Sequence, residues 1–100
     1  MPTLTLSFPH TLPPEEAAAR IRGFVAELRA GHPEYAGGIR ESWEGTRARF
    51  EGTVMGFTAS GEIEAGDREV RLILSYPFVA APFRGRIEAM IRETAETLLH

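Results

Sequence analysis

The sequence predicts a two-layer α+β domain, an antiparallel sheet with two helices on one face. Two observations carry this. Apolar and polar residues alternate from Arg47 to Tyr76, the period of strands covered on one side only, and after Pro77 the period lengthens to that of an amphipathic helix. A shorter strand pattern and a first helical pattern precede them. The order is therefore β-α-β-β-β-β-α in one domain spanning residues 1–100. A chain of this length buries roughly two-thirds of the surface its unfolded form exposes, enough for one sheet and two helices.

Thr3 to Phe8 alternates strictly, with Leu4, Leu6 and Phe8 on one side and Thr3, Thr5 and Ser7 on the other, as in a short half-buried strand. Pro9 ends it. Thr11 to Pro14 supplies a helix start, because proline fits a first turn whose N–H groups have no helical partner. Ala17, Ile21, Phe24, Val25 and Leu28 recur at helical spacing, Glu16 and Arg20 form an i,i+4 pair on the opposite side, and Gly31 and Pro33 stop the helix. Gly23 is out of place in a helix interior, and close packing on the sheet is the expected reason.

Two hairpins follow. Gly45-Thr46 is the expected turn between Ile39–Glu44 and Arg47–Val54, setting Trp43 opposite Ala48, Glu44 opposite Arg47 and Arg40 opposite Glu51. Gly66-Asp67 is the expected turn between Phe57–Ala65 and Arg68–Tyr76. That register sets Ile63 against Val70, Ala59 against Leu74, Phe57 against Tyr76 and Glu62 against Arg71. Pro77 and Pro82 bracket an apolar segment, Phe78 to Ala81, read as a loop. From Phe83 onward Ile87, Met90, Ile91, Thr94 and Leu98 trace a helical stripe, with Arg84, Glu88 and Arg92 as a ladder on the outer side. Phe57, Leu72 and Ile87 are expected to share one dry layer. This element order also occurs in TATA-binding-protein-like and helix-grip folds, where a long C-terminal helix crosses a curved antiparallel sheet; the likeness concerns architecture and carries no function.

Composition narrows the function classes. The net charge of -3 argues against a nucleic-acid partner, since phosphate binding needs a concentrated basic face. All eleven cationic residues are arginine, and Lys, Asn, Gln and Cys are absent. The scatter of those arginines fits a coding bias better than anion recognition. Without cysteine there is neither disulfide nor thiolate chemistry. Met1 to Pro9 has no signal-peptide pattern and no apolar run approaches a transmembrane length, so the expected setting is the cytoplasm.

Few residues offer chemistry. His10, His32 and His100 lack metal-ligand spacing and read as surface loop residues, with His10 nearest the first helix. Glu41 shares the parity of Trp43 and Phe50, so it falls on the covered face, where a carboxylate needs a partner or an edge opening to water. Glu41 and Trp43 are thus candidates for a ligand cavity or a polar spot on the inner face. Gly37-Gly38 lacks the Lys-Ser/Thr of a phosphate loop, and Ser60-Gly61 is no nucleophile elbow. Arg47, Arg49 and Arg71 are offset by Glu51, Glu62 and Glu64 on a solvated face. Tyr76, Phe78, Val79 and Phe83 form the candidate interaction segment, because large apolar side chains gather there in a stretch without a strand or helix pattern.

His10 to Leu12, Trp43-Glu44-Gly45, Phe50, Ser60-Gly61-Glu62-Ile63 and Pro82-Phe83-Arg84-Gly85-Arg86-Ile87-Glu88 together resemble small bacterial polyhydroxyalkanoic acid system proteins over nearly the whole chain. The Glu51–Ala59 stretch is longer than in that pattern, and Tyr76-Pro77-Phe78 stands where a leucine-glycine pair is common. The resemblance implies association with polyhydroxyalkanoate granules or their proteins and supplies no catalytic residue. The expected function is a non-enzymatic accessory protein without cofactor or metal. The alternative is a small helix-grip binder for an acyl or other apolar ligand, with Ala48, Gly52, Ala59 and Gly61 leaving space on the inner face. A free sheet edge leaves room for a homodimer. A hydrolase or isomerase using Glu41 and His10 ranks last.

Overall fold

The computed structural model describes residues 2–33, 38–54 and 57–99. Gly37 and His100, which the sequence raised as candidates, lie outside the described residues. Five strands, β1 (Thr3–Pro9), β2 (Arg40–Glu44), β3 (Arg47–Val54), β4 (Phe57–Ala65) and β5 (Glu69–Ser75), form one sheet in the order β1-β5-β4-β3-β2, with every neighbouring pair antiparallel. Helix α1 (Pro14–Gly31) follows β1. A 3-10 helix (Phe78–Phe83) leads from β5 into helix α2 (Arg84–Leu99). Residues of both helices line one cavity with the inner face of the sheet, which makes this a two-layer α+β domain of the expected order.

The first hairpin has the expected register: Trp43 faces Ala48, Glu44 faces Arg47 and Arg40 faces Glu51. Gly45 occupies a positive φ of 62° at the first loop position, as primed hairpin turns require. The second hairpin departs from expectation by two residues. Ala65 pairs with Val70, Ile63 with Leu72, Gly61 with Leu74 and Glu64 with Arg71. The Gly66 N–H donates to the Glu69 carbonyl at 2.8 Å, so the two-residue loop is Asp67-Arg68. A shift of two keeps every side chain on its face, so hydrophobic alternation cannot distinguish the two registers. The end of β1 does distinguish them. The His10 N–H bonds the Arg68 carbonyl at 2.9 Å, and the His10 ring bonds the Gly66 carbonyl at 2.8 Å.

The core gathers Leu4, Leu6, Phe8, Ala17, Ala18, Ile21, Ala65, Val70, Tyr76, Ala80 and Leu99. Leu72 and Ile87 are half-buried, whereas Phe57 is exposed, because β4 begins three residues before its pairing with β5 and lies there beside β3 alone. The expected shared dry layer is therefore incomplete. The Phe78 to Ala81 segment, read as a loop, is helical. Gly52 sits in a close approach: a Cβ there would stand 3.1 Å from the Ile39 Cα, a tight contact that asks the neighbouring backbone to give by a few tenths of an ångström. Gly23 has no such reason: nothing lies within 4 Å of its added Cβ, and the expected packing on the sheet is absent.

Candidate functional site: an apolar cavity between the layers

Between sheet and helices lies a cavity of about 520 Å³. Its floor is the inner face of the central strands, with Phe50, Ala59, Gly61, Ile63, Leu72 and Leu74. Its roof comes from Phe24 and Leu28 of α1 and from Met90, Ile91, Thr94 and Ala95 of α2. Gly52, Ala59 and Gly61, three of the small residues singled out in the sequence, line the floor, while Ala48 is buried beside Trp43. Glu51 and Ser60 also border the space, but strand alternation directs their side chains to the outer face, where Glu51 pairs with Arg40. Among the described lining residues, Thr94 is the one polar side chain that the helices contribute.

At the β2 edge a polar cluster closes one side of the domain. Glu41 lies on the inner face as its parity predicted, and it has partners. Its Oε1 accepts from Arg29 Nη1 at 2.7 Å and its Oε2 from Trp43 Nε1 at 2.9 Å. Arg29 also donates to the Ile39 carbonyl. The Arg22 guanidinium stacks 4.6 Å from the Trp43 ring centre, and Trp43 meets Phe50 edge-on at 6.1 Å. Arg22 and Arg29 are seven residues apart, hence on the same side of α1. That spacing was the available signal, and alone it could not name a partner on β2. The cluster ties α1 to the sheet edge, and both carboxylate oxygens of Glu41 are occupied in doing so.

His10 is buried, 5% exposed, which corrects its reading as a surface loop residue. Nδ1 accepts from the Leu12 N–H at 3.1 Å, and Nε2 donates to the Gly66 carbonyl at 2.8 Å, an arrangement that selects the Nε2–H tautomer. It joins the end of β1, the start of α1 and the β4–β5 turn. Glu41 and His10 thus serve separate structural contacts, His10 at the β1 end and Glu41 on the opposite edge strand.

Of the candidate interaction residues, Phe78, Val79 and Phe83 are exposed by 76%, 63% and 50%, whereas Tyr76 belongs to the core. The outer sheet face carries the ion pairs Arg40–Glu51, Arg47–Glu64 and Arg49–Glu62 across neighbouring strands. Glu62 therefore meets Arg49 rather than Arg71. Among the described residues there is no cluster of three or more His, Cys, Asp or Glu able to hold a metal, and no helix is long and apolar enough to cross a membrane.

The fold and cavity define a small two-layer α+β protein with an apolar space between its layers. Residues 4–99 match the family described as "Putative polyhydroxyalkanoic acid system protein", and the chain belongs to that family. No curated protein matches it. Among solved structures, the crystal structure of TTHA0849 from Thermus thermophilus is 19% identical, covers 98% of this chain and 92% of its own, and aligns with a TM-score of 0.34, too low to carry a structural argument.

Proposed function

We propose that the chain is a non-enzymatic cytoplasmic accessory protein of the polyhydroxyalkanoate system that attaches to granules or to their proteins through Phe78, Val79 and Phe83. The observation that carries this reading is the exposure of three large apolar side chains within six residues of a short helix, in a chain of this family. A side chain of this kind moves out of water with a gain of about 1.5–3 kcal/mol when a partner covers it. A non-enzymatic role draws support from the engagement of both ring nitrogens of His10 and both carboxylate oxygens of Glu41 in structural contacts.

Co-sedimentation of the purified protein with isolated granules tests the proposal. The wild type is expected in the pellet at both low and high salt, because apolar attachment is not screened by ions. The double variant Phe78→Ser/Phe83→Ser should bind at least about tenfold less, the equivalent of losing one buried aromatic side chain. Wild-type protein that stays in the supernatant at both salt concentrations would overturn the reading.

A further inference from the structure

We infer that the cavity between the layers is a binding site for a single acyl chain, entered beside Met90 near the middle of α2. This goes beyond granule attachment and uses different residues. A space of about 520 Å³ falls in the range of small-molecule sites. By the measure of a dry 150 Å³ cavity that accepts benzene, it takes about 20 non-hydrogen atoms. Water is a poor occupant, since each buried molecule needs two to four polar partners and the helices present only the Thr94 hydroxyl. The lining instead suits a flexible hydrocarbon with at most one hydrogen-bonding group inside. A hydroxyalkanoic acyl chain, the chemistry named by the family, has that character, with its carboxyl end left in water.

The helix that covers the space is held unevenly, and this places the entrance. At its C-terminal end Leu99 is 3% exposed, and Arg20 Nη1 donates to the Leu98 carbonyl at 3.2 Å. Near the middle of the helix Met90 lines the cavity while 61% of its surface meets solvent. Leu98 and Ile91 pack against the core, and Met90, beside Ile91, forms the rim. Ala59 and Gly61 keep the floor of the cavity open, where a larger residue would fill the space.

Titration of the purified full chain with decanoate and with 3-hydroxydecanoate, followed by calorimetry, tests the assignment. Both should bind. Ala59→Leu, which occupies the cavity, should weaken both by at least about tenfold while thermal unfolding stays cooperative and its midpoint holds or rises. If Ala59→Leu fails to fold, Ala95→Leu fills the same space from the roof and is read in the same way. Thr94→Val should remove any preference for the hydroxy acid and leave decanoate binding in place. The Phe78→Ser/Phe83→Ser variant should bind decanoate as the wild type does, which separates this site from granule attachment; loss of binding there would move the acyl contact to the 3-10 helix and overturn the cavity assignment. Absence of decanoate binding up to about 1 mM would also overturn it. So would a chain that sediments as a dimer and binds no acyl chain, since a second copy would then be the occupant.

Discussion

The β1 side of the sheet and the β2 side follow the same alternation and end in different states. On β1, Leu4, Leu6 and Phe8 are almost fully covered. On β2 and β3, Trp43 and Phe50 remain half-buried although their parity is equally correct. The difference lies overhead. The C-terminal end of α2 reaches the core through Leu99, and His10 ties β1 to both α1 and the β4–β5 turn. Over Phe50, Gly52, Ala59 and Gly61 the two layers leave the cavity, and the far edge is held to α1 by the Arg29–Glu41–Trp43 cluster. An amphipathic strand therefore specifies which side chains turn inward, but the distance of the covering layer decides how dry they become.

Three substitutions would break or sharpen this contrast. His10→Ala should have the largest effect, about 2–3 kcal/mol of lost stability in urea unfolding, because it orphans the Leu12 N–H and the Gly66 carbonyl and leaves a hole on the tight side. Glu41→Ala should cost less, about 1–2 kcal/mol, since Arg29 and Trp43 lose a partner at an edge that water already reaches. Hydrogen exchange in that variant should quicken in β2 before β1. An equal change in both strands would mean that the two sides unfold as one unit and would remove the contrast. Gly23→Ala should go the other way, raising stability by roughly 0.5–1 kcal/mol, because the added methyl meets nothing and the helix gains propensity. A loss there would show that α1 needs a flexible centre.

Much of this was legible in the residues, and the misreadings have specific causes. The Gly45-Thr46 hairpin was readable because its turn chemistry and its cross-strand pairs agree on one register. The β4–β5 register was not, since a two-residue shift satisfies the same alternation and the deciding contacts come from His10, 56 residues away from Gly66. His10 read as a loop residue because nothing local signals burial. For Glu41, parity located the side chain and left its partners open; Arg29 becomes visible only once α1 is laid across β2. Tyr76 and Phe78 sit two positions apart in one apolar segment, yet one is core and the other solvent-facing, a division imposed by the end of β5 and the 3-10 turn.

Periodicity, proline and glycine placement by themselves determined the element order, the faces of the strands and helices, and the two-layer class, because those properties depend on neighbours a few residues apart. The strand register at β4–β5, the burial of His10, the pairing of Glu41 and the space beneath α2 were decided only when distant segments met. Each depends on how far one layer stands from the other and on which polar atoms come within hydrogen-bonding reach, quantities set by the packing of the whole chain.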